Sequence, residues 1–133
     1  MTPHGDSAAL EAWRRKAEED FAAAGLLVEH GGPPATVCFL CQQVAEKYFK
    51  AWLLFQQRRL PRIHHSDLLL EDCLHLDSSF QALLDDAVLL KGYYLTTRYP
   101  DDLPDDVTPE EASGAFQSAS RIRRFICARL VSG

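Results

Sequence analysis

The sequence predicts an all-α protein, folded as an antiparallel up-and-down helical bundle of four long helices plus one short helix. Apolar residues recur along most of the chain at the three-to-four spacing that is typical of amphipathic helices. No segment shows the alternation of β-branched and polar residues that indicates a strand. The connections between the helical patterns are mostly short, which favours antiparallel neighbours in a bundle.

The chain has 133 residues, 47% hydrophobic and 25% charged, a balance typical of one folded domain. We expect residues 1–6 to be a disordered N-terminus and residues 7–131 to form a single helical domain. The net charge of -5 gives no bulk reason to expect a nucleic-acid binder, but it allows a local basic patch. No apolar run approaches the roughly 20 residues that span a bilayer, and the N-terminus lacks a secretory pattern. We therefore expect a cytoplasmic protein without a membrane segment.

The first two helices are separated by a clear break. Ser7 can cap the first helix, whose apolar spacing continues to about Glu29. Residues 31–34, Gly-Gly-Pro-Pro, then end it, because glycine suits the left-handed cap and proline cannot continue the hydrogen-bond ladder. The second helix is predicted over residues 35–57, and its apolar stripe is wide. We expect this to be the central helix, along which the others pack.

Three further helices are predicted in the second half of the chain. A short helix covers residues 67–75, and a Ser-x-x-Gln capping box at Ser78 starts a fourth helix that reaches about residue 96. A Thr-x-x-Glu box at Thr108 starts the last helix, which ends near residue 130. The apolar positions predicted to face inward in the fourth helix are Phe80, Leu83, Leu84, Ala87, Val88 and Tyr94.

The most basic local cluster lies in the connection after the central helix. Its members are Arg58, Arg59, Arg62, His64 and His65. Together with Lys47 and Lys50 they can gather phosphates at one end of the bundle, since arginine donates two hydrogen bonds to one phosphate and histidine moves protons near neutral pH. The alternative is a solvated loop whose histidine caps the following helix.

A second candidate is the Thr-Arg-Tyr-Pro sequence after the fourth helix. There Arg98 and Tyr99 can pair with a phosphate and stack on a base. Equally, Arg98 can tie the following acidic loop to the bundle. Its possible partners in that role are Asp101, Asp102, Asp105 and Asp106.

Polar residues accompany the apolar stripe of the central helix. Gln42, Gln43 and Glu46 suggest an interhelical or dimer-interface network, which must be hydrogen-bonded if it is buried. We expect these three residues, with Lys47 and Lys50, to lie mostly outside the buried stripe.

The chain shows no clear pattern of metal or cofactor binding, so we expect neither. Its aspartate-rich loop lacks the glycine turn and the distal glutamate of an EF-hand. The four cysteines are expected to be thiols that fill gaps in the bundle, and a zinc site would require the fold to bring all four together. These cysteines are Cys38, Cys41, Cys73 and Cys127.

Several segments together resemble small prokaryotic HEPN-domain proteins, over about residues 13–130. The most specific are the glutamine pair followed by Ala-Glu-Lys and a lysine one turn later, over residues 42–50, and the Thr-Arg-Tyr-Pro-Asp run at residues 97–101. The resemblance implies a helical bundle, commonly a homodimer, often encoded beside a minimal nucleotidyltransferase. Some such pairs act as toxin and antitoxin.

The resemblance also raises the question of ribonuclease activity. Many HEPN proteins are metal-independent endoribonucleases whose arginine and histidine, separated by four to six residues, lie near the start of the last long helix. No histidine follows His75, so the motif is absent there. Arg59 and His64 satisfy the spacing, but in the connection after the central helix.

These observations give three functional hypotheses. The first is a homodimeric nucleotide- or RNA-binding module that acts with a separately encoded nucleotidyltransferase. The second is an endoribonuclease that uses Arg59 and His64. The third is a structural partner of the nucleotidyltransferase that binds no nucleic acid.

Overall fold

The computed structural model describes residues 7–60, 62, 65–93 and 107–130, and all regular structure in these ranges is helical. The all-α fold predicted from the sequence is thus confirmed. Within these ranges the helices are α1 (Ser7–Glu29), α2 (Pro34–Phe55), α3 (Ser66–Leu76), the 3₁₀ helix Ser78–Leu83, α4 (Leu84–Lys91) and α5 (Pro109–Leu130). None of the helices in these ranges combines the length and the apolar character required to cross a membrane.

Helix α2 is the centre of the bundle, as predicted. Fourteen of its 22 residues are buried, so it is covered on nearly all sides rather than along one stripe. Helix α1 runs antiparallel to it, because Asp20 contacts Lys47 whereas Trp13, earlier on α1, contacts Lys50, which is later on α2. Helix α5 lies against the same helix, with the Cys127 sulfur 3.5 Å from the Tyr48 hydroxyl.

The helix boundaries largely agree with the local sequence signals. Gly31 takes a φ of 69°, which is the left-handed cap expected after α1. The Thr108 hydroxyl accepts a hydrogen bond from the Glu111 N–H at 3.1 Å, so the predicted hydroxyl cap of α5 is present. Local hydrogen bonds and backbone geometry therefore account for where α1 ends and α5 begins, and no tertiary contact is required.

The fourth predicted helix differs in detail from the expectation. Asp77, rather than Ser78, is the cap, and its carboxylate accepts hydrogen bonds from the Ser79 N–H at 2.9 Å and the Ser79 hydroxyl at 2.6 Å. The segment then begins as a 3₁₀ helix and continues as α4 to Lys91. Residues 94–96 of the prediction, including Tyr94, lie outside the described residues.

The inward face predicted for this segment is only partly correct. Phe80, Leu83 and Ala87 are buried as expected. The prediction places Leu84 and Val88 on the same inward face, but both are exposed. The switch from 3₁₀ to α geometry changes the rotation per residue, which breaks the continuous period that the prediction assumes.

The polar side of α2 is also more buried than predicted. Gln42 is fully buried, and Glu46 and Lys50 are only 5% and 4% exposed. The expectation that these residues lie outside the buried stripe is wrong, because α1 covers that side of α2 as well. The burial brings charged groups into the interior, where each needs a partner.

Candidate functional site

A cleft of about 390 Å³ lies where the end of α2 meets the last turns of α3. Its lining residues come from three places, the last turn of α2, the chain just after it, and one face of α3. They are Leu53, Arg58, Arg59, Asp72, His75 and Leu76. The size is within the usual range of small-molecule sites, about 300–1,000 Å³.

The end of α2 places the two arginines at this cleft through a Schellman motif. The Arg58 N–H donates to the Leu53 carbonyl at 3.0 Å, and the Gln57 N–H donates to the Leu54 carbonyl at 2.8 Å. Gln57 has a φ of 60°, a conformation that costs a residue with a side chain about 1–2 kcal/mol and that glycine adopts freely. The sharp turn directs the chain back beside Leu53, so Arg58 and Arg59 border the cleft.

Helix α3 supplies the opposite wall. Asp72 lies three residues before His75 and four before Leu76, so all three share one face of the helix. His75 stands in the last turn of α3, where the helix dipole favours a positive charge. The wall therefore presents a carboxylate, an imidazole and an apolar side chain together.

The charged groups of the cleft have no side-chain partner among the residues that the structure describes. Within these ranges, Arg58, Arg59, Asp72 and His75 show no side-chain hydrogen bond or ion pair. By contrast, the Arg123 guanidinium donates to both Glu18 oxygens, at 2.6 and 2.9 Å. Unpaired arginines in a concave site are available to an anionic ligand.

The two lysines predicted to bind phosphate lie elsewhere and already have partners. Lys47 forms an ion pair with Asp20 of α1. Lys50 donates to Glu46 at 2.9 Å and lies 4.9 Å from the centre of the Trp13 ring. The structure does not bring them to the cleft, and a binding role for them remains a prediction.

Of the remaining predicted binding residues, only Arg62 and His65 are among those that the structure describes. Arg62 is exposed and His65 is half-buried directly before α3, but neither lines the cleft. His64, Arg98 and Tyr99 lie outside the described residues. Among the described residues, the arginines and the histidine that line the cleft together are Arg58, Arg59 and His75.

The polar residues of α2 make two hydrogen bonds to one another, both within that helix. The Gln43 side-chain amide donates to the Gln42 side-chain carbonyl at 2.7 Å, and Glu46 accepts from Lys50. Gln42 and Glu46 are buried inside the bundle, whereas Gln43 is half-buried. A role of these residues at a dimer interface remains a prediction.

Sequence reasoning missed Asp72 and His75 as site residues. They lie three residues apart on the exposed side of a short helix, a common arrangement that carries no functional signal by itself. Only the packing of α3 against the end of α2 brings them to the arginines.

The cysteines are free thiols, and Cys38, Cys41 and Cys73 are buried as predicted, whereas Cys127 is half-buried. Burial raises the pKa of Cys38 to about 11 and that of Cys41 to about 12. Both therefore remain protonated at neutral pH, which makes this Cys-x-x-Cys pair a poor nucleophile. Across the described ranges, no three metal-ligating side chains converge.

The described residues form a helical bundle with a cleft at one end, in which two arginines have no ion pair with any described residue. Residues 10–130 match the HEPN domain, so the chain belongs to the HEPN domain family. The crystal structure of TT1696 from Thermus thermophilus is similar over 90% of this chain and 96% of that chain, with 28% identity and a TM-score of 0.80. The structure of ST0689, an archaeal HEPN homologue, is similar over 91% and 97%, with 28% identity and a TM-score of 0.71. A comparison with curated proteins gives no match.

Proposed function

We propose that this chain is a nucleotide- or RNA-binding HEPN module that forms a homodimer and acts with a separately encoded minimal nucleotidyltransferase, in a toxin–antitoxin-like system. The observation that carries the binding function is that Arg58 and Arg59 line the cleft and have no side-chain hydrogen bond or ion pair with any described residue. The two lysines of α2 instead pair with carboxylates, so they offer less positive charge to a ligand than Arg58 and Arg59 do.

Binding is tested by replacing the arginines one at a time. We expect Arg58→Ala and Arg59→Ala each to weaken binding of a short fluorescent RNA, or of nucleotides, by about 10- to 100-fold, since a hydrogen bond to a charged group contributes about 1.5–3 kcal/mol. Each change should also lower the slope of the logarithm of the RNA-binding constant against the logarithm of the salt concentration. The expected decrease is that for the loss of about one phosphate contact. Fluorescence anisotropy at several salt concentrations measures both.

The matched control is Arg124→Ala, which removes an exposed arginine on α5, away from the cleft. It should leave the affinity for RNA within about twofold of that of the wild type. Arg124 can act on RNA in the cleft only through long-range charge, and salt screens that interaction. Equal losses for all three variants would contradict a site at the cleft. No binding by the wild-type protein, together with a stable complex with the nucleotidyltransferase, would support the structural-partner hypothesis instead.

A second candidate function is the metal-independent endoribonuclease. It is favoured by the presence of His75 in the same cleft as Arg59, because an arginine can stabilise the charge on the phosphodiester while a histidine takes the proton of the attacking 2′-hydroxyl or gives one to the departing 5′-oxygen. The same RNA incubated in excess chelator distinguishes the two functions. Cleavage that is lost in Arg59→Ala and in His75→Ala or His64→Ala, but kept in His30→Ala just beyond the end of α1, would establish the enzyme.

The homodimer is supported by an apolar surface on α3 and α4. HEPN domains commonly dimerise, and most of the exposed large apolar side chains in the described residues lie on these two helices. They are Leu68, Leu76, Leu84, Val88 and Leu89. Asp85 and Lys91 stand three residues before and after Val88. A two-fold axis near Val88 would bring Asp85 of one copy close to Lys91 of the other, which also donates to Asp67 of its own chain at 3.1 Å.

We expect Val88→Asp to convert the dimer to a monomer, because it buries an unpaired charge at the centre of the interface. Light scattering after size-exclusion chromatography measures the mass. Leu26→Asp is the control, since Leu26 is 59% exposed on α1 and Val88 is 53% exposed on α4. A wild-type monomer, or a dimer that survives Val88→Asp but not Leu26→Asp, would contradict this surface.

A further inference from the structure

Asp72 places a carboxylate in the cleft that we propose binds phosphate. Asp72 faces the same space as Arg58 and Arg59, yet the structure shows no hydrogen bond or ion pair between them. A carboxylate only accepts hydrogen bonds and repels a phosphate, so a ligand that fits here must present donors at Asp72 and its phosphate at the arginines.

We infer that the cleft binds a free ribonucleoside monophosphate, with its phosphate on Arg58 and Arg59 and its ribose hydroxyls on Asp72. The inference rests on the proposed function and narrows its ligand. Adjacent 2′ and 3′ hydroxyls offer two donors to the two oxygens of one carboxylate, which is the pairing that acidic side chains make with ribose in other nucleotide sites.

The rest of the cleft suits the base of such a ligand. Leu53 and Leu76 supply apolar surface, against which the face of a base can pack, and the His75 ring stands next to them. A volume of about 390 Å³ is large enough for one nucleotide and small for several. The site therefore offers one contact surface each for phosphate, sugar and base.

Charge favours a small ligand over a nucleic-acid strand. Two arginines and one aspartate leave the cleft with a small excess of positive charge, which favours the phosphate group of a small ligand. The chain as a whole carries -5, and exposed Glu71 precedes Asp72 on α3. The overall negative charge repels a long polyanion more strongly than a mononucleotide, because a strand extends well beyond the cleft.

The test compares ribonucleotides with their deoxy counterparts. Isothermal titration calorimetry of the wild-type protein with the four ribonucleoside 5′-monophosphates, and with the four 2′-deoxy forms, should show at least tenfold tighter binding of one or more ribonucleotides. Asp72→Ala should reduce that preference to threefold or less. Glu71→Gln, which changes the exposed neighbouring carboxylate, should leave it unchanged.

The possible failures are distinguishable. Equal affinity for ribo and deoxy forms, with both weakened by Arg58→Ala, would overturn the inference and leave the proposed phosphate site intact. Binding of a ten-nucleotide RNA without binding of any mononucleotide would also overturn it and assign the cleft to an RNA strand. A wild-type protein that binds neither would overturn both the inference and the proposed binding function.

Discussion

Replacing Lys50 with methionine is expected to lower the free energy of unfolding by about 3–5 kcal/mol, because it leaves the carboxylate of Glu46 in the interior without its ammonium partner. The two side chains form a buried ion pair at 2.9 Å between α2 residues one turn apart. Methionine keeps the length and apolar character of the lysine stem, so the change acts mainly on charge. Urea denaturation followed by circular dichroism measures the loss.

Two variants separate the effect of the buried charge from that of the side chain. The double change of Glu46→Gln with Lys50→Met should recover most of the stability, since it removes both charges together. Lys47→Met should cost only about 1 kcal/mol, because Lys47 is more exposed, at 17% of its side chain, and its ion pair is partly solvated. A loss for Lys50→Met no greater than that for Lys47→Met would contradict this account.

Replacing Phe80 with alanine is expected to cost a similar amount, about 3–5 kcal/mol, because it opens a cavity that the surrounding helices cannot fill. Phe80 is fully buried, and its ring centre lies 4.4 Å from that of Trp52 on α2 and 4.9 Å from that of Phe125 on α5. The residue therefore joins the 3₁₀ segment to both long helices. The same denaturation experiment measures the change.

Two comparisons test whether packing is the cause. Phe80→Leu keeps most of the apolar volume and should cost about 1–1.5 kcal/mol. Leu89→Ala removes an apolar side chain of α4 that is exposed in the single chain, and it should change the stability of the monomer by about 0.5 kcal/mol or less. If Phe80→Ala proves no more costly than Leu89→Ala, the aromatic cluster does not hold the 3₁₀ segment in place.

The basic residues show why a charged cluster in the sequence is an incomplete guide to a site. Lys47, Lys50, Arg58 and Arg59 look equivalent in the sequence, since all four are close together near the end of one helix. In the fold the two lysines stabilise the packing of α1 and α2, and the two arginines have no ion pair with any described residue. Lys47 obtains its carboxylate from α1, which the local sequence does not reveal, whereas the partner of Lys50 lies one turn away on α2 itself.

Local sequence patterns determined the helices of this protein. The apolar period of α1, α2 and α5, the Gly-Gly-Pro-Pro break and the Thr108 cap act through neighbouring residues, so the sequence alone predicts them correctly. The resemblance to HEPN proteins likewise rests on short runs of residues. It agrees with the family match over residues 10–130.

Only the tertiary structure decided which residues share the cleft and which charges are buried. Asp72 and His75 reach Arg58 and Arg59 because the connection after α2 returns α3 to the end of that helix. Glu46 and Lys50 are interior because α1 covers the polar side of α2, which no pattern within α2 could reveal. Helix periodicity depends on contacts three or four residues apart, whereas a site is formed by contacts between segments whose approach depends on the whole bundle.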